Sequence, residues 1–184
     1  MQEVPGSNGT EPRKGLVQVY TGDGKGKTTA ALGQALRAVG HHQKVCVIQF
    51  LKGDVRYGEL RAADLLSGLT IIQCGKEGHV DPQSPDPVDA ELAQGGIRQA
   101  AAIARSGAYD LVILDEINVA MKFGLVTVQQ VLDLIECKSE RTELVLTGRW
   151  APPDIIERAD LVSEIQELKH PYRNGVLARK GVEY

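Results

Sequence analysis

Short apolar runs recur along the chain, separated by segments with helical spacing. "LVQVY" (16–20), "KVCVIQFL" (44–51), "LTIIQC" (69–74), "YDLVILDE" (109–116), "TELVLTG" (142–148) and "ADLVSEI" (159–165) read as strands. Several are nearly continuous in Val, Ile and Leu rather than alternating, the pattern of strands covered on both faces. Between them, residues 27–39, 57–67, about 88–106, 126–137 and 152–158 predict helices. In "TTAALGQALRAV", Ala31, Ala35, Leu36 and Val39 recur at helical spacing. Strands alternating with helices of this length predict an α/β fold: a doubly wound, mainly parallel sheet with right-handed crossovers, in three α/β/α layers. The insertion "GKEGHVDPQSPDPVD" (75–89) carries three prolines, which exclude regular structure across most of it.

One junction carries chemistry. "TGDGKGKTTA" (21–30) follows a strand and opens a helix, the setting of a phosphate-binding loop. Against G-x-x-x-x-G-K-[ST], Thr21 stands where the first glycine belongs, and glycines fall instead at Gly22 and Gly24. Consecutive backbone N–H groups in such a loop form an anion nest, to which the helix N-terminus adds its field. Lys27 supplies a point charge for the outer phosphates, and the Thr28 hydroxyl can ligate Mg²⁺. "LVILDE" ends a second strand in Asp115 and Glu116, at the edge where parallel sheets bind ligands, and one of these carboxylates can hold Mg²⁺ directly or through water. A glycine-rich turn with no ligand is the competing reading, and the strand–loop–helix context with a distant acidic strand end disfavours it. The loop does not fix the reaction. Arg37, Arg56, Arg98 and Arg149 are all available to a γ-phosphate, and spacing assigns none of them; for Arg37 the default is a solvated helix face.

Composition narrows the classes without adding to them. With 184 residues, 42% hydrophobic and 24% charged, the chain has the make-up of one soluble globular domain, placed here at 15–184. A net charge of −3 offers no global field for nucleic acid or an anionic membrane surface, and no apolar run approaches the roughly 18 residues of a membrane span. Cys46, Cys74 and Cys137 are widely spaced and lie in or beside apolar runs, which predicts buried free thiols and a reducing cytoplasm. Residues 1–14, "MQEVPGSNGTEPRK", have almost nothing to bury and read as a mobile arm.

Several stretches together resemble the phosphate-loop ATP:corrinoid adenosyltransferases, also called cob(I)alamin or cob(I)yrinic acid a,c-diamide adenosyltransferases. They are "YTGDGKGKTTAALGQALRAVGHHQKVCVIQFLKG" (20–53), "GEL" (58–60), "LVILDEIN" (111–118), "LVLTGR" (144–149) and "ADLVSEIQELKHPYRNGVLARKGVEY" (159–184). The resemblance covers nearly everything from Gly15 onward. It implies a RecA-like P-loop fold and transfer of the 5′-deoxyadenosyl group of ATP to Co(I) of a reduced corrinoid, releasing triphosphate, in adenosylcobalamin biosynthesis or salvage. The shortened loop resembles the family's own variant, which implies that ATP lies reversed, with C5′ of the ribose toward the second substrate. Backbone amides from Gly22 to Thr28, with Lys25 and Lys27, are then expected to hold the phosphates; Gly26 and Thr29 belong to the same loop. Asp23 falls near the ribose, and Arg37 becomes a phosphate partner. Thr28 with Glu116, and Asp115 beside them, would hold Mg²⁺, with Mn²⁺ as an alternative. A homodimer and a reductase supplying Co(I) are implied partners.

One departure bears on the corrinoid. Where well-known members carry an aromatic pair of the form G-F-T-W, this chain reads Gly78, His79, Val80, Asp81, which leaves His79 and Val80 as the corrinoid-side candidates. His41 and His42 read as solvated turn residues, His170 sits in the matched "KHP" motif, and Trp150 reads as a packing or interface residue. The competing functions are a kinase or ATPase that moves the γ-phosphate, and a non-catalytic module that binds ATP or a corrinoid.

Overall fold

The computed structural model of the protein describes residues 14–184; the segment expected to be a mobile arm lies outside the described residues except for Lys14. Six strands coincide with the six apolar runs: β1 (Val17–Thr21), β2 (Val45–Phe50), β3 (Leu69–Cys74), β4 (Leu111–Asp115), β5 (Glu143–Thr147) and β6 (Leu161–Glu164). They form one sheet in the order β3-β2-β4-β5-β1-β6, and every pairing is parallel. The sheet is therefore wholly parallel, and all strand C-termini emerge along one edge.

Burial follows position in the sheet. β2, β4 and β5 are buried at every residue, as near-continuous Val, Ile and Leu require. β1 alternates buried and half-buried positions, while β6, at the edge, is exposed at all four. Coverage on both faces thus holds for the centre of the sheet and fails at its β6 edge. Successive side chains enter opposite layers: Cys46, Ile48 and Phe50 join one core cluster, Val45 and Val47 the other.

Helices α1 (Lys27–Gly40), α2 (Gly58–Ala63), α3 (Pro87–Ser106), α4 (Ile117–Lys122), α5 (Val128–Cys137) and α6 (Pro153–Arg158) cover the two faces. α3 to α6 pack on the Ile48 side through residues such as Ala100, Ile117, Leu134 and Ile155, and α1 packs on the Val47 side. The buried stripe of α1 is Lys27, Ala31, Ala35 and Ala38, whereas Leu36, expected on that face, is exposed. Alanine at these positions lets the helix lie close to the sheet and carries Lys27 inward with it.

Helix limits follow local chemistry. α3 begins at Pro87 behind an Asp86–Asp89 capping box and ends at Gly107 in the left-handed conformation. α5 has the equivalent box in Thr127 and Gln130. α2 is shorter than the span 57–67 because it has no buried residue to reward further turns. α4 was not expected: six residues after a strand end are too few for a legible period. A short 3-10 turn at Pro171–Asn174 follows β6, and the proline-rich stretch before Pro87 is irregular.

Candidate active site

The loop between β1 and α1 lies on the C-terminal edge, and its glycines serve different needs. At Gly24 a Cβ would sit 2.7 Å from the carbonyl of Gln166, and the Gly24 N–H donates to the Ile165 carbonyl at 2.7 Å. Gly26 has open space around it but φ of 125°, a conformation that side chains rarely adopt. The Gly24 amide is therefore already engaged. The anion nest consists of the amides after it, from Lys25 into the first turn of α1, where N–H groups have no intrahelical partner. α1 has no side-chain cap at Gly26 and no acidic residue in its first turn, so its N-terminus is presented to the cleft.

Lys27 points into the loop it follows. Its Nζ donates to the carbonyls of Gly22 and Gly24, each at 2.6 Å, and the residue is buried. Burial holds its pKa below the usual lysine value; Glu116 and Asp23 oppose the shift and Arg149 reinforces it. A triphosphate would supply the anionic partner that the loop carbonyls only approximate.

Beneath the loop lies a network centred on Asp115. Its Oδ1 accepts from Thr28 Oγ1 at 2.8 Å and from Thr147 Oγ1 at 2.7 Å, and its Oδ2 accepts from Lys52 Nζ at 2.8 Å. β5 separates β4 from β1 in the sheet, and Thr147 at its end spans that gap. Burial alone would depress Lys52, but the Asp115 carboxylate, with Glu116 and Glu59 behind it, reverses the effect and raises its pKa. Lys52 also lies 5.4 Å from the centre of the Tyr57 ring. Sequence reasoning missed both Thr147 and Lys52. "LTG" and "FLKG" sit at the ends of apolar runs, and that position on a parallel sheet was the signal available.

Glu116 follows Asp115 with φ of 61°, and its N–H donates to Thr147 Oγ1 at 3.0 Å. Burial raises its pKa and the neighbouring Asp115 adds to this, against Lys52, Lys27 and Arg149. Among the described residues, four other than glycine have positive φ, and three of them line this cleft: Leu51, Glu116 and Trp150, each at or just beyond a strand end. Each such conformation costs about 1–2 kcal/mol, and the cost is concentrated where the strands deliver residues to the cleft.

The loop opens into a cleft of about 880 Å³. His79 and Val80 line it, and so do Asp23, Lys25 and Thr29. Arg149 faces it as well, whereas Arg37 is on the exposed surface of α1, acting on Tyr20 rather than the cleft. Phe123 and Trp150 form part of the wall, with ring centres 6.4 Å apart and planes inclined at 41°. Trp150, which the sequence suggested was a packing or interface residue, is thus a cleft residue, and 48% of it is exposed. His170 also reaches the cleft, where its Nδ1 accepts from Tyr172 N–H at 3.2 Å and fixes the turn after β6. His41 and His42 are exposed and remote from these contacts.

The C-terminal segment returns to the loop. Lys25 Nζ donates to Glu183 Oε1 at 2.7 Å and to the Val182 carbonyl at 3.2 Å. Arg179, then Lys25, holds the Glu183 carboxyl down to a pKa of about 2. Lys25 is thus paired within the chain while also lining the cleft. Cys46 and Cys74 are buried, and burial pushes the Cys46 thiol up to about 11; Cys137 is only half-buried.

The residues fit a divalent cation of the Mg²⁺ type. Thr28 donates its hydroxyl hydrogen to Asp115, which leaves oxygen lone pairs for a cation, and Glu116 is a half-buried carboxyl beside Asp115 whose ionised form a cation would favour. No cluster of three His, Cys, Asp or Glu side chains occurs among the described residues, and Mg²⁺ bound to substrate phosphates needs only one or two protein carboxylates.

Comparison with known proteins places this geometry. Residues 13–184 match the family described as ATP:corrinoid adenosyltransferase BtuR/CobO/CobP. A corrinoid adenosyltransferase of Sinorhizobium sp is 37% identical over 173 residues, which cover 93% of this chain and 81% of the relative. The Pseudomonas aeruginosa corrinoid adenosyltransferase is 35% identical, covering 93% of this chain and 84% of its own length. The corrinoid adenosyltransferase CobA of Salmonella typhimurium is 31% identical, with 95% and 88% covered.

Proposed function

From the premise that this chain belongs to the ATP:corrinoid adenosyltransferase family, we propose that it transfers the 5′-deoxyadenosyl group of ATP to the Co(I) of a reduced corrinoid, in cobalamin biosynthesis. The electron pair of Co(I) forms the Co–C5′ bond as the C5′–O bond breaks, and triphosphate leaves with the bonding pair. The nucleophile belongs to the substrate, so the protein orients the reactants and neutralises the leaving group. The observation that carries this reading is a single cleft in which a phosphate loop meets an aromatic and aliphatic wall.

The loop amides from Lys25 to Thr29 and the Lys27 ammonium hold the triphosphate, with Asp23 toward the ribose. Arg149 faces the same space and adds positive charge; Arg37 stands away from it. Lys25 joins the phosphates when it exchanges Glu183 for them. Thr28 and Glu116 would hold Mg²⁺, and Asp115 would orient Thr28 from behind rather than reach the metal, because both its oxygens are engaged. When bound, Mg²⁺ would offset charge on the triphosphate as it departs. His79 and Val80 border the corrinoid side.

Residues 15–184 act as one domain, working as a cytoplasmic homodimer with Co(I) delivered by a separate reductase. No helix among the described residues is long and apolar enough to cross a membrane. The test is phosphorus NMR after anaerobic incubation with ATP, Mg²⁺ and a chemically reduced corrinoid, alongside a control lacking corrinoid. Corrinoid-dependent triphosphate is expected; ADP and phosphate formed regardless of corrinoid would overturn the proposal.

A further inference from the structure

Trp150 combines features that a packing residue does not need. Its backbone holds φ of 59°, which strains any residue with a Cβ, yet the indole it delivers is half exposed. The turn is clamped on both sides. Asn118 Nδ2 donates to the Gly148 carbonyl at 3.0 Å, and the Ala151 N–H donates to Thr21 Oγ1 at 3.2 Å. A strained, clamped and exposed aromatic ring in a cleft wall is a ring held ready for contact. Its neighbour is Phe123, at the end of α4, and Val119 lies one turn before Phe123 in the same wall. The 78–80 segment lines the same cleft with Gly78, His79 and Val80 and adds no aromatic ring.

We infer that Phe123 and Trp150 form the surface that receives the corrin macrocycle, with Trp150 its principal contact; the inference rests on the adenosyltransferase reading. Two substrates could use these rings, and the geometry separates them. A purine stacks best on a flat face or between parallel faces. Two rings inclined at 41° with centres 6.4 Å apart touch one another and make a bent wall, with no parallel slot between them. A corrin is puckered and carries methyl groups and amide arms around its rim, so it meets a bent apolar wall through C–H contacts. The charged end of ATP belongs to the loop, and the exposed indole lines the same cleft. The aromatic contact toward the corrinoid thus comes from the end of α4 and the turn after β5 rather than from the 78–81 segment.

The experiment uses Trp150→Gly and Trp150→Phe in the full-length protein. Glycine accepts φ of 59° without strain, so its variant loses the ring while keeping the turn, and a thermal midpoint verifies folding. Steady-state kinetics should show the corrinoid KM rising about tenfold in the glycine variant, with the ATP KM within about twofold of the parent. The phenylalanine variant should recover most of the loss. An unchanged corrinoid KM, or a rise confined to the ATP KM, overturns the inference. Equilibrium dialysis against cobalamin with MgATP present reads the same contact without turnover. Wild-type protein that binds cobalamin more tightly than Trp150→Gly, yet releases no triphosphate, supports the wall and sinks the proposed reaction. Triphosphate release with equal cobalamin binding by both does the reverse, and no binding by wild type overturns both.

Discussion

At the loop end of the cleft, Lys27, Thr28, Asp115 and Thr147 are joined by bonds of 2.6–2.8 Å to backbone or to one another, and Asp115 and Thr147 are almost fully buried. Elsewhere in the cleft lining, His79 and Trp150 are exposed, and the C-terminal return rests on Lys25 through a surface ion pair. The first region is rigid because a buried charge is tolerable only when every partner is in place. The second can accept a bulky ligand because little is lost when its side chains move. Triphosphate is the same on every ATP, whereas the corrinoid side must fit an irregular macrocycle, and the two ends are built accordingly.

Several changes would break or sharpen that contrast, and the largest effect is expected at Asp115. Replacing Asp115 with Ala leaves the half-buried Lys52 without its carboxylate and frees two threonine hydroxyls of the buried network, and should cost about 3 kcal/mol, read from urea unfolding. A loss below about 1 kcal/mol would mean the network is not the rigid part. Lys27→Ala removes a buried charge, so folding should survive while the rate of triphosphate release falls by about 10²–10³. Retained turnover with only ATP affinity reduced would point to a binding module instead.

Glu116→Gln should separate stability from function. Burial raises the native pKa of Glu116 above its unfolded value of 4.5. The native state then binds more protons than the unfolded chain between those two pKa values, so stability falls as pH rises through that window and stays reduced above it. Without ligands, the glutamine variant should be more stable than the parent at pH 7 and lack that decline, while losing its response to Mg²⁺. Parallel pH–stability curves for the two proteins would contradict this.

The smallest effects are expected at the open wall and the tail. His79→Ala should change the corrinoid KM by less than about threefold, as for other exposed side chains outside special geometry. Glu183→Gln releases Lys25 from a pair that salt already screens, and should lower the ATP KM only slightly, with the difference vanishing at high ionic strength. Because the Glu183 carboxyl is held near 2, any stabilisation from the tail persists above the unfolded value of 4.5 and fades as pH falls toward 2.

The order of strands and helices, the phosphate loop and the acidic strand end were set by local pattern. Short Val-, Ile- and Leu-rich runs bounded by turn residues favour buried strands, and glycines ahead of Lys27-Thr28 favour a loop and a helix start whose amides can meet an anion. Capping residues such as Asp86 and Thr127 mark their helices for the same reason. Roles that depend on neighbours distant in sequence were decided by tertiary structure alone. Thr147 came to join Asp115 and the Glu116 N–H because β5 lies beside β4. Gly24 gave its amide to Ile165 because β6 runs beside β1. Leu36 turned outward, Arg37 stayed on the helix surface and Arg149 entered the cleft, choices made by packing and not by period. Trp150 reached the cleft through a positive φ that no residue preference would suggest, since a strained conformation is held by contacts from elsewhere in the chain.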